Sequence, residues 1–131
     1  MDSAVSLSQI IGCWELVRFE IKDQEGGTSS WGDNSAGLLI YTEDGHMSVS
    51  INSKAIFGTD DSQAILDGIL FYSGRYRLIG EEIRHQVLFA SSPSRVGTEM
   101  VREVSLTNGH MLLTARGDFG VAELSWRRIY A

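Results

Sequence analysis

Three side chains in this 131-residue chain combine reactive chemistry with an alternating strand setting: Tyr76, His85 and Arg102. Histidine titrates near neutrality, so His85 is suited to acting as a general acid or base. Arg102 offers a planar donor fork for a carboxylate or enolate oxygen. Tyr76 can donate from a phenol. Each also has a structural reading. His85 would be hydrogen-bonded to Tyr76 or to backbone. Arg102 would sit in an interior ion pair with Glu15, Glu20 or Asp118. Tyr76 would be a satisfied core tyrosine.

Which reading holds depends on the face each side chain takes, and therefore on the strands that carry it. The stretch from Arg84 to Glu103, RHQVLFASSPSRVGTEMVRE, reads as two strands around a turn with His85 and Arg102 on one face. Upstream, FYSGRYRL forms the partner strand across Ile79-Gly80-Glu81-Glu82. Downstream, EMVREVSL and HMLLTARG flank Asn108-Gly109, a strong two-residue hairpin signal. VAELSWRRIY is the last strand. Centring each hairpin on its turn sets Tyr76 opposite His85, Val87 opposite Arg102, His85 opposite Val104, and Leu113 opposite Val104 and near Leu124. One face then carries Tyr76, His85, Val87, Arg102, Val104, Met111, Leu113, Ala115, Leu124, Trp126 and Arg128. The other carries Arg75, Arg77, Arg84, Gln86, Glu99, Glu103, Ser105, Thr114, Arg116, Glu123, Ser125 and Arg127. The second set is polar and must meet water, so the first is the interior.

The remaining elements extend this pattern. Residues 1–11 read as a short helix or lead capped at Ser6 or Ser8. GCWELVRFEIKD, about 12–22, is the first strand. Residues 23–37 read as a long loop carrying Trp31. GLLIYTEDGHMSVSI is a hairpin around Thr42-Glu43-Asp44-Gly45. Its better interior face is Leu38, Ile40, Met47, Val49 and Ile51, although Tyr41 and Ser48 can also reach a cavity. About 60–70 reads as a short helix capping one end, with Asp60 and Gln63 as a capping box. The expected fold is all-β, an eight-stranded antiparallel up-and-down barrel in one domain spanning 1–131.

An apolar barrel wall with a few convergent polar groups describes a small-molecule site. Its expected ligand contacts are Arg18, Tyr41, Val87, Val104, Leu113, Leu124 and Trp126, with Phe89 as a further aromatic wall. Trp14 and Arg128 are expected to stack as a plug.

Composition narrows the partners. A net charge of -6 disfavours nucleic acid, which needs a basic face, and anionic membranes. The single cysteine, Cys13, excludes an intramolecular disulfide and a thiolate cluster. His46, His85 and His110 lack metal-ligand spacing. No Gly-x-Ser-x-Gly elbow is present, nor a phosphate loop around Gly26-Gly27. No signal peptide or membrane span is read. The expectation is a cytoplasmic monomer or homodimer with no cofactor and no metal.

Gly12-Cys13-Trp14 is similar to the Gly-x-Trp signature that opens lipocalins. Together with GLLIYTEDGHMSV, YSGRYRL, the His85-to-Arg102 stretch and LSWRRI, it resembles the bacterial and fungal lipocalin-like domain family over about 12–130. The resemblance implies a calycin-like barrel with a cavity. It implies no single activity and no shared catalytic motif. Relatives of this architecture include cofactor-free cyclases and isomerases of natural-product intermediates. The expected function is therefore a cofactor-free isomerase or cyclase acting on a polyketide- or terpenoid-like intermediate, with His85, Tyr76 and Arg102 in the catalytic roles. The alternative is a non-catalytic carrier or sensor of a small hydrophobic molecule. A filled barrel acting through its surface is a third reading, disfavoured by the lack of an exposed apolar strand face.

Overall fold

The computed structural model describes residues 5–25, 27–30, 35–53, 60–63, 69–117 and 120–130, with 28–30 described by backbone alone. A short helix α1 (Leu7–Ile10) leads into nine strands. These are β1 (Gly12–Lys22), β2 (Thr28–Ser30), β3 (Ser35–Tyr41), β4 (His46–Ser53), β5 (Ile69–Ile79), β6 (Glu82–Ala90), β7 (Glu99–Thr107), β8 (His110–Gly117) and β9 (Gly120–Ile129). Strands β3 to β9 pair in sequence order. β1 pairs with both β3 and β9, so these eight strands close a barrel. Closure gives each of the eight a partner on both sides over at least part of its length, so none is a free edge strand. The short β2 lies antiparallel on the far end of β1. Part of the loop expected over 23–37 is therefore strand.

The interior follows the alternation in β5 to β9. Tyr76 pairs with His85, Val104 with Leu113 and Leu113 with Leu124. Tyr76, His85, Val87, Val104, Met111, Leu113, Ala115 and Trp126 are buried. Their outer neighbours Arg77, Glu99, Glu103, Arg116 and Arg127 carry exposed ion pairs. Thr114, expected outside, is buried.

Four placements differ from expectation. In the β6–β7 ladder Arg102 pairs with Ile83 and His85 with Met100. The slip is even, so both residues keep their face. In the β3–β4 hairpin Tyr41 pairs with Met47. The connection therefore has one residue more than the four-residue turn centres on, and Leu39 and Tyr41 turn inward while Leu38 is exposed. A bulge between Leu16 and Arg18 breaks the alternation after Leu16, so Arg18 turns outward and pairs with Glu20 at 2.8 Å. A second irregularity between Ser73 and Gly74 leaves Phe89 exposed instead of walling the interior. Gly74 makes this crossing possible, because a Cβ there would lie 1.9 Å from the Gln86 carbonyl oxygen.

One barrel end is plugged. Trp14 is buried and donates its indole N–H to the Ile10 carbonyl at 2.9 Å. The Arg128 guanidinium stacks 4.3 Å from its ring centroid and donates to the carbonyls of Ile11, at 2.7 Å, and Gln9. Gly12 leaves room for this arginine, since a Cβ would meet Arg128 Nη1 at 2.6 Å. α1 is capped by Ser6, whose N–H donates to the Gln9 side chain at 2.8 Å. Of the helix expected over 60–70, residues 62 and 63 are helical and 64–68 lie outside the described residues. The carboxylate that accepts the Gln63 N–H, at 3.0 Å, belongs to Asp61 rather than Asp60. Trp31 also lies outside the described residues.

Candidate functional site: a cavity beside a tyrosine–histidine–tyrosine chain

The barrel interior is not filled. A cavity of about 230 Å³ is walled by apolar residues including Phe19, Leu39, Val49, Leu113, Leu124 and Trp126. It exists partly because Ala115 and Ala122 face each other across β8 and β9, and both line it. Two adjacent methyl side chains leave space that larger residues would fill. An apolar cavity of ~150 Å³ holds a benzene, so this one suits a molecule of one or two rings.

Polar groups enter at one side. The His85 ring lies between two phenols. The Tyr41 hydroxyl is 2.7 Å from Nε2 and the Tyr72 hydroxyl 2.7 Å from Nδ1. All three residues are buried, and Tyr72 and His85 line the cavity. Burial, and secondly the positive charge of Arg102, push the His85 imidazole down to about 3. It is therefore neutral, with one ring nitrogen donating and the other accepting. Burial also raises both phenols, most for Tyr41, while Arg102 opposes the rise at Tyr72 both as a charge and as a hydrogen-bond donor.

Arg102 is half-buried on the same cavity wall. Its guanidinium donates to the Val101 carbonyl at 3.0 Å and approaches the Met100 sulfur at 3.9 Å. It has no carboxylate partner among the described residues. Of the ion-pair partners considered from sequence, Glu15 binds Arg127 and Glu20 binds Arg18, and Asp118 lies outside the described residues. Arg95, from the 3₁₀ turn Pro93–Arg95, is a second cation on the lining.

The structure thus brings His85 and Arg102 together at one wall, with Leu113, Leu124 and Trp126 on the lining. Tyr76 is directed elsewhere, donating its hydroxyl to the Thr42 carbonyl at 2.6 Å. Val87 and Val104 are core residues outside the lining, and Arg18 is on the outer surface. Tyr41 reaches the site through His85. Tyr72 is absent from the sequence-derived site. The signal for it was parity, since four residues before Tyr76 on one strand is the same face. Among the described residues, no three of His, Cys, Asp and Glu converge as metal ligands, and no helix is long and apolar enough to cross a membrane.

The family model for the lipocalin-like domain matches residues 11–129. The chain belongs to the lipocalin-like domain family. Two solved structures share the fold of this lipocalin-like chain. A lipocalin-like protein from Bacteroides uniformis has 16% identity and a TM-score of 0.54, with 92% of this chain and 99% of that one covered. An uncharacterised protein from Bacteroides eggerthii has 16% identity and a TM-score of 0.55, again covering 92% and 99%. No curated protein matches the chain.

Proposed function

We propose that this lipocalin-like barrel binds one small, mostly apolar organic molecule in the cavity between Phe19, Leu113, Leu124 and Trp126. The observation that carries this reading is the unfilled, apolar-lined volume of about 230 Å³, whose charged and titratable lining residues all come from β5, β6, β7 and the turn between the last two. A binder needs a dry surface for the ligand body and a few fixed donors for orientation. The protein acts in the cytosol as a carrier or sensor. The test is uptake of a neutral two-ring probe, 1-acetylnaphthalene, followed by quenching of tryptophan emission. Saturable binding supports the reading, and a linear, non-saturating response sinks it.

A second reading is catalytic, and the Tyr41–His85–Tyr72 chain favours it. In that reading the barrel folds a polyketide- or terpenoid-like intermediate, gains most of its rate from orientation, and uses the hydrogen-bonded chain and Arg102 to polarise a carbonyl. The protein is then a cofactor-free isomerase or cyclase. Incubation with 3-cyclohexenone, read as formation of the conjugated ketone by ultraviolet absorbance, separates the two. Conversion no faster than in buffer, with probe binding intact, leaves the carrier.

A further inference from the structure

The hydrogen-bond chain fixes where protons sit. The Tyr41 hydroxyl is fully buried, and its one acceptor among the described residues is His85 Nε2. If Nε2 carried the imidazole proton, the Tyr41 hydroxyl proton would be buried without an acceptor, at the full cost of its desolvation. Tyr41 therefore donates to Nε2, and the neutral ring carries its proton on Nδ1. Nδ1–H then donates to the Tyr72 oxygen, 2.7 Å away. A hydroxyl that accepts from the imidazole keeps its own proton to give. Tyr72 lines the cavity.

The other polar groups on the lining are also donors. Among the described residues, Arg102 and Arg95 are cations with no carboxylate partner, and none of the residues on the lining is Asp or Glu. Trp126, buried on the lining, has an indole N–H without an acceptor among the described residues. His85 has no nitrogen left to accept with. A wall whose described residues offer donors and positive charge, and no carboxylate, complements a group that only accepts. An ionised carboxylate is such a group.

We propose that the ligand is a small organic acid, its one- or two-ring apolar body against Trp126 and Leu124 and its carboxylate held by the Tyr72 hydroxyl and Arg102. His85 is a positioning residue, because its tautomer aims the Tyr72 proton into the cavity. This rests on the binding reading above and names the ligand class for that site.

The experiment compares two probes of one shape, 1-naphthoate and 1-acetylnaphthalene, on the intact chain at neutral pH. The carboxylate is expected to bind about tenfold tighter or better, the yield of one charge-assisted hydrogen bond. Tyr72→Phe and Arg102→Met are each expected to erase that preference, with a far-ultraviolet circular dichroism spectrum like that of the wild type showing that the variants are folded. In the wild type, a two-bond nitrogen–proton correlation spectrum is expected to show the His85 proton on Nδ1. Equal affinities, or a preference for the ketone, overturn the carboxylate and leave the binding reading standing. Binding of neither probe removes both. A preference that survives in Tyr72→Phe and Arg102→Met, or a proton on Nε2, overturns the assigned arrangement.

Discussion

His85 stands directly across from Tyr76 in the β5–β6 ladder, yet the phenol it bonds on that strand is Tyr72, 2.7 Å from Nδ1. Cross-strand register sets which face a side chain takes. The partner it reaches is set by which hydroxyl also lies inside. Tyr76 is committed to the Thr42 carbonyl, and Tyr72 completes the imidazole.

The neutral state of His85 couples folding to pH. Its folded-state value, about 3, lies below the ordinary 6.5. Between those values the unfolded chain binds a proton that the folded chain refuses. Stability from this site is complete above pH 6.5 and is lost as pH falls toward 3. A shift of that size corresponds to on the order of 5 kcal/mol. Urea unfolding of the wild type and of His85→Leu at neutral pH and at about pH 5 measures it. The wild type is expected to lose stability more steeply on acidification, and parallel losses in the two proteins would refute the coupling.

Ala122 faces Ala115 at the cavity wall. Ala122→Leu fills part of the space without displacing a polar group. Its expected effect is a gain of about 0.5–2 kcal/mol in stability together with at least about tenfold weaker binding of 1-acetylnaphthalene. Thermal unfolding and probe titration on one sample check both. A variant that is stabilised and still binds as before would place the probe elsewhere.

Gly74→Ala tests the irregularity in the β5–β6 ladder, where Leu88 is the residue without a partner. The added Cβ would sit 1.9 Å from the Gln86 carbonyl oxygen, a backbone atom that moves only with its ladder. Destabilisation of about 3 kcal/mol or more is expected, read as a drop in the urea midpoint at unchanged slope.

Arg128→Ala removes the stack on Trp14 and the two hydrogen bonds to the lead-in carbonyls. A loss of about 1–3 kcal/mol follows from the stack and the charged hydrogen bonds together. Arg128 is not on the cavity lining, so probe affinity is expected to stay within about twofold of wild type. A large loss of binding at unchanged stability would contradict this division of labour.

Much of this architecture was legible because most strands meet at short turns whose chemistry shows in the residues. Asn108, with φ 49°, and Gly109, with φ 81°, form the turn their sequence announces, and the Val104–Leu113 register followed from it. What alternation cannot see is a residue that does not count. The bulge after Leu16 reversed Arg18, the irregularity at Gly74 reversed Phe89, and the longer β3–β4 connection reversed Leu38 and Leu39. Each is a local change in backbone spacing, and of the three only the one at Gly74 carries a marker in side-chain type. The site was half visible for a related reason. His85 and Arg102 stood out as polar groups on an apolar wall, whereas Tyr72 lay beyond the part of β5 whose face had been assigned.

The seam between β1 and β9 sets a schedule for biosynthesis. Cys13 pairs with Ile129 and Lys22 with Val121, so the first barrel strand waits for nearly the whole chain before that edge is covered. At a ribosomal pace of ~5–20 residues per second, about 100 residues separate the two for roughly 5–20 s. Through that interval the β1 edge presents unpaired amides and carbonyls beside exposed apolar side chains, a template for any extended segment nearby. Nascent chains of this protein are therefore exposed to mispairing at β1 until β9 emerges.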